Sequence, residues 1–231
     1  MQLFILVLMA LLLCIDTALE TALVGLCRDE KIFSSETNTD QKNHAAFVQP
    51  AIQKIMNDSR VSFLDIDAVA VVNGPGSYTG LRVGLASAKG ICYASGKPLI
   101  LLNTLAVMAT SAIQHYNDAH ALYCPVIDAR RNEVFAAVYD FFMKPVLPPR
   151  PLIIEESSFE KLLQKQKMIF FGSGHNKCGN IVIHENATFS DNFYTLYHIN
   201  KLAQQNYLLK EFGDVAYAEP FYTKEFYMVG R

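Results

Sequence analysis

Hydrophobic and polar positions change period several times along the chain. "LLLCIDT" and "TALVGLC" are short, continuous apolar runs bounded by polar turns; they predict two strands, with "KIFSSETN" a third. From Gln41 to Asp58, Ala45, Val48, Ile52, Ile55 and Met56 recur at helical spacing, and Pro50 among them predicts a kink or a late helix start. "DAVAVVN" is apolar on both faces and predicts a buried strand. It leads into the glycine stretch "NGPGSYTGLRVGL" and a helix from about Tyr78 to Ser95. "KPLILLN" predicts another strand, and Thr104 to His115 a further helix.

The second half repeats this theme more weakly. "ALYCPVIDA" and "EVFAAVYDF" predict strands joined by a tight turn at Ala129 to Asn132, with Asp128 at the strand end. "KPVLPPRP" reads as an extended, exposed link. Ser158 to Gln166 predicts a helix, "MIFFGSGHN" a strand running into a second glycine turn, and Tyr197 to Phe212 a helix. Strands first, then alternating helix and strand, is the layout of a ribonuclease H-like half, the unit duplicated in actin-like ATPases and sugar kinases. The expected division is residues 9–117 and 118–231, with 1–8 as an N-terminal extension.

That extension is a choice between two readings of "MQLFILVLMALLLC". The run resembles the core of a signal peptide, but no Lys or Arg precedes Arg28 and no small-x-small site closes it. It is also short for a membrane span of about 20 residues. A buried first strand ending in Asp16 and Thr17 fits better, with Met9 as a later start.

Composition changes the picture little. At 231 residues and 51% hydrophobic content the chain can bury a substantial core. A formal net charge of -2 supplies no field to hold a nucleic-acid backbone unaided. The five cysteines are scattered without a C-x-x-C spacing, which predicts reduced thiols and a cytoplasmic protein.

Candidate chemistry centres on the glycine stretch. Glycines let backbone amides approach an anion, and the helix that follows turns its positive end toward it. The stretch lacks the P-loop lysine, since Gly80 is followed by Leu81, and it lacks the third glycine of a dinucleotide fingerprint. Gly74 and Gly76 therefore read either as turn residues or as ligand contacts. Asp16 and Asp128, at strand ends, read either as holders of a metal-bound nucleotide or as turn residues. Ser77 and Ser173 sit outside any G-x-S-x-G elbow, and no two histidines stand four apart to form a metal-binding pair on a helix.

"CIDTALETALVGL", "NGPGSYTGLRVGLASAKGICYASGKPL", "IDARRNEVFAAVYDF", "FFGSG" and "AEPFYTKEF" together resemble the TsaB (YeaZ) family of bacterial tRNA threonylcarbamoyladenosine synthesis. The resemblance implies an actin-like ATPase (ASKHA, ribonuclease H-like) fold whose second subdomain is reduced. It also implies a non-catalytic scaffold subunit that binds and activates the catalytic paralogue TsaD, with TsaE as the ATPase partner, tRNA met through the complex, and a homodimer when alone. No cofactor is then expected on this subunit, ATP being used by the complex, and Asp16, Thr17, Gly74 and Gly76 become a vestigial nucleotide site.

TsaD carries a His-x-x-x-His metal pair on the helix after the equivalent of "GKPLILLN", and the matching positions here are Thr104 and Met108. A hydroxyl and a thioether do not replace two imidazoles. Family members pair through the glycine-stretch helix and the helix before it, so the small-residue stripe Gly80, Gly84 and Ala88, with Val48 and Ile52, is the expected partner interface; packing of the stripe on its own sheet is the competing use. The alternative function is a self-sufficient actin-like enzyme, either nucleotide-dependent or a metalloprotease.

Overall fold

The computed structural model describes residues 10–221 apart from residue 192, so the expected extension at 1–8 lies outside the described residues. The chain forms two compact units. Among the described residues, the first takes 10–73, Ser77–Leu102 and Ile199–Glu219; the second takes Gly74–Gly76, Asn103–His198 and 220–221.

The first unit is built on β1 (Leu11–Asp16), β2 (Ala22–Arg28), β3 (Lys31–Asn38), β4 (Ala68–Gly74) and β5 (Leu99–Asn103), in the order β3-β2-β1-β4-β5. β1 pairs antiparallel with β2, Cys14 opposite Gly25, and parallel with β4, Cys14 opposite Ala70. All six residues of β1 are buried, as expected of a central strand covered on both faces. After a 3-10 turn at Gln41–Asn43 comes α1 (His44–Ser59), which turns Val48, Ala51, Ile52, Ile55 and Met56 inward. Pro50 lies inside α1 and supplies no N–H to the Ala46 carbonyl; both residues are on the exposed side of the helix. α2 (Tyr78–Ser95) is capped at its start by Ser77, whose hydroxyl accepts from Gly80 N, and ended by Gly96 in the left-handed region.

The second sheet runs β8 (Pro145–Ile153), β7 (Glu133–Tyr139), β6 (Leu122–Asp128), β9 (Met168–Phe171), β10 (Ala187–Ser190). β6 pairs antiparallel with β7 and parallel with β9, as β1 does with β2 and β4. The two sheets share one topology: a three-stranded antiparallel meander, then parallel strands on the far side of the first strand. This duplicated ribonuclease H-like arrangement is the actin-like ATPase fold. The reduction of the second unit falls on its helices: α4 (Glu160–Leu163) and α5 (His175–Gly179) span only four and five residues.

Two helices cross the division expected from the sequence. α3 (Thr104–Tyr116) belongs with the second unit, where Thr104, Leu105, Val107, Met108 and Ala109 are buried, so the chain changes unit at Leu102 and not near residue 117. α6 (Leu196–Leu209) returns to the first unit from Ile199 onward. There Gln204 exchanges two hydrogen bonds with the backbone of Ala10, donating to its carbonyl at 2.8 Å and accepting from its amide at 3.3 Å; a side-chain amide thus stands in for a neighbouring strand at the start of β1. The segment "KPVLPPRP" is part of β8 and no linker: it pairs with β7 at the sheet edge, where residues without an N–H cost no ladder bond on the outer side. The helix expected from Ser158 to Gln166 shrinks to the single turn of α4.

Candidate functional site

Asp16 ends β1 fully buried, and its Oδ1 accepts from Ala18 N at 2.8 Å, an Asx turn that bends the chain out of the strand. Thr17, also fully buried, donates its hydroxyl to the carbonyl of Gly80 at 2.7 Å. Ser77 N donates to Ala18 O at 2.7 Å, so the turn after β1 and the start of α2 are bonded to each other at two points. Gly80 is glycine for a steric reason: a β-carbon there would collide with the backbone carbonyl of Thr17. One turn on, a β-carbon on Gly84 would strike the Thr17 hydroxyl.

Of the expected vestigial nucleotide residues, Asp16 and Thr17 stand together in the first unit, whereas Gly74 and Gly76 group with the second. Gly74 has φ 118°, which a side chain would resist, and that requirement explains this glycine without a ligand.

The residues expected at a partner interface are corrected by their burial. Gly80, Gly84 and Ala88 face inward on α2, with Ala88 at 0% exposure, and Val48 and Ile52 are 0% and 2% exposed on the inner side of α1. They seat the helices on their own sheet. The small residues of α2 exist because that helix lies directly over Thr17, Ile15 and Val71. The outer faces carry other residues: Ala45, Gln49 and Gln53 on α1, and Arg82, Ala86, Gly90 and Tyr93 on α2. Gln49 joins the two helices by donating to Ser87 Oγ at 2.8 Å.

In the second unit Asp128, at the end of β6, is held by Lys177 of α5, whose Nζ lies 2.6 Å from Oδ1. Partial burial acts to raise the carboxyl's pKa, but the Lys177 ammonium and the Arg130 amide outweigh it and hold the group below its usual value. Ser173 Oγ accepts from Asp128 N at 3.1 Å, and His175 donates from Nδ1 to Gly172 O at 2.8 Å, so the two residues of the second glycine turn serve different backbone partners and do not form a nucleophile–base pair.

Asn103 caps α3, accepting from Leu105 N at 3.0 Å; Thr104 Oγ1, next to it, is buried without a hydrogen-bond partner. Met108 is buried, and its methyl occupies the space a side chain at Gly172 would need. Neither position offers an imidazole, and among the described residues no group of three His, Cys, Asp or Glu side chains is placed to hold a metal ion. Sequence spacing gave no hint of Lys177 as counter-ion to Asp128, 49 positions away. It also gave no hint of the exposed pair Tyr78 and Arg82, in which the guanidinium lies 4.0 Å from the ring centroid.

Comparison with known proteins places this geometry. The family model described as TsaD: tRNA N6-adenosine threonylcarbamoyltransferase matches residues 31–216, most of the chain. The protein called tRNA threonylcarbamoyladenosine biosynthesis protein TsaB in Bacillus subtilis (strain 168) is 28% identical over 168 residues, 71% of either chain. The chain belongs to this family, in its TsaB (YeaZ) branch. The TsaB of Escherichia coli (strain K12) is 35% identical over 128 residues, 55% of this chain and about half, 54%, of that relative. In fold, the chain is similar to the crystal structure of an uncharacterized Pseudomonas aeruginosa protein with similarity to peptidase YeaZ, at TM-score 0.81 and 22% identity over 94% of this chain and all of that one. A second P. aeruginosa YeaZ structure superposes at TM-score 0.76 with 21% identity, over 93% of this chain and 100% of that one. Among the described residues no helix is long and apolar enough to cross a membrane.

Proposed function

We propose that this TsaB-family chain is a non-catalytic subunit in the formation of N6-threonylcarbamoyladenosine in tRNA, and that it binds the catalytic subunit TsaD and holds it in its working conformation. The observation that carries the reading is that both strand-end sites are closed by the chain's own atoms. Thr17 is bonded to Gly80 and Asp128 to Lys177, in the places where an active actin-like enzyme would receive a nucleotide phosphate and its metal. An ammonium 2.6 Å from Asp128 opposes binding of a divalent cation at that carboxylate. Thr104 and Met108 at the positions of the paralogue's histidine pair support the same reading. ATP handling then falls to TsaE, tRNA is met through the complex, and the site of action is the cytoplasm, where tRNA is modified.

The test is reconstitution. TsaD and TsaE with ATP, threonylcarbamoyl-adenylate and tRNA should form the modified nucleoside only when this chain is added, while the chain alone should neither turn over nor take up stoichiometric ATP or zinc in calorimetry. Turnover by the isolated chain would favour the self-sufficient enzyme instead.

A further inference from the structure

We infer that the exposed apolar end of the first sheet is a docking surface for the chain's own residues 1–9. β1 and β4 run parallel and begin at this end, where Asp67 N donates to Leu11 O at 2.8 Å and the Asp67 carboxylate accepts from Leu11 N at 2.7 Å. β5 begins beside them: Val69 N donates to Pro98 O at 3.1 Å, and Leu99 O accepts from Gly213 N at 2.8 Å.

The surface around these strand starts is greasy. Phe63 and Leu64 in the turn before β4, Leu208 and Leu209 at the end of α6, and Phe212 just after it are all exposed, Leu64 by 72% and Leu209 by 69%. The Tyr207 ring lies 5.8 Å from that of Phe212, centroid to centroid, and steadies it. Apolar side chains gathered at one end of a sheet mark a contact surface, whereas the same residues scattered singly would need no explanation.

The path of α6 selects the occupant. The helix crosses this end of the sheet: Asn200 donates to the Asp29 carbonyl after β2, Gln204 holds both backbone atoms of Ala10 before β1, and Gly213 reaches Leu99. Leu208 stands four positions after Gln204, on the same side of the helix and about 6 Å farther along it. It therefore lies beside the point where residue 9 joins Ala10. The sequence that enters there is MQLFILVLM, apolar at every position but Gln2. Nine residues reach up to about 30 Å, enough to cross the patch. Covering it would remove apolar surface from water on both sides, and the covalent tether at Ala10 keeps the segment at high effective concentration. A second copy or a lipid surface would have to be captured from solution.

The experiment uses the full chain, native, with chymotrypsin as the probe and mass spectrometry to follow cleavage between residues 4 and 8. Replacing the patch leucines, Leu208→Ser with Leu209→Ser, should speed that cleavage about 10-fold at the parental melting temperature, since cleavage follows the population in which the segment is released. Leu6→Asp with the patch intact should speed it to a similar degree, and combining the changes should add little, as expected of partners in one contact. Equal cleavage rates in the parent and the patch variant, or effects that multiply when combined, would overturn the inference. So would an intact mass showing that the purified chain lacks residues 1–8. Two rivals are read directly: a dimer in sedimentation that the patch substitutions dissolve, or flotation of the parent with phosphatidylglycerol vesicles that Leu6→Asp abolishes, would give the surface or the segment another occupant and overturn the assignment.

Discussion

The Thr17 hydroxyl donates to the Gly80 carbonyl at 2.7 Å, and Gly80 in turn leaves no room for a side chain against the Thr17 backbone. The contact welds the turn after β1 to the first turns of α2. Gly80→Ala forces backbone against backbone and should destabilise the protein by about 1–3 kcal/mol, read as a lower urea midpoint at unchanged m-value.

Gly90 gives the opposite expectation on the same helix. It lies inside α2 with open space around it, so the only effect of a methyl group is on backbone entropy. Gly90→Ala should stabilise by about 0.5–1 kcal/mol in the same urea titration. A loss of stability would mean that the outer face of α2 is covered within the monomer.

The Asp128–Lys177 pair predicts a dependence on acid. Because the folded-state pKa of Asp128 lies below its ordinary 3.8, the pair stabilises above that value and its contribution is lost as pH falls through the folded pKa. Lys177→Met should therefore be less stable than the parent at neutral pH by a margin that closes below about pH 3.8, measured by denaturant unfolding at each pH. The margin should be modest, since Asp128 is 45% exposed and solvent screens the pair. A constant gap at every pH would assign Lys177 a packing role only.

All five cysteines are free and buried. Burial pushes the Cys92 thiol up to about 11 and the Cys178 thiol up to about 12, where the attacking thiolate is scarce. Iodoacetamide at pH 8 should leave the native chain unlabelled over minutes and modify all five positions once the chain is unfolded in guanidinium, as mass spectrometry would count. Fast native labelling at Cys92 would show that the end of α2 opens.

Much of the fold was legible because its strands are buried on both faces. "LLLCID" and "AVAVVN" admit few other readings, and the start and end of α2 are marked by Ser77 and Gly96. β10 and α5 were not legible: four- and five-residue elements are shorter than any hydrophobic period needed to detect them. The proline-rich edge strand was missed because Pro145, Pro148, Pro149 and Pro151 read as a strand only once β7 is present to pair with. The stripe Gly80, Gly84 and Ala88 was visible as a stripe, but spacing states only that three residues share a face. Whether that face looks outward or onto Thr17, Ile15 and Val71 depends on which side of the helix the sheet lies.

The sequence by itself determined the strands, the long helices, the glycine turns and the family, because these are recorded in local periodicity and in motifs a few residues long. Only the tertiary structure decided what the strand-end residues do. The partner of Thr17 is 63 positions away and that of Asp128 is 49, and hydrogen bonds and ion pairs act over a few ångströms of space with no trace in local spacing. It also decided where α3 and α6 belong, since a helix with a buried apolar face docks on whichever sheet leaves that face uncovered, and chain order does not name the sheet.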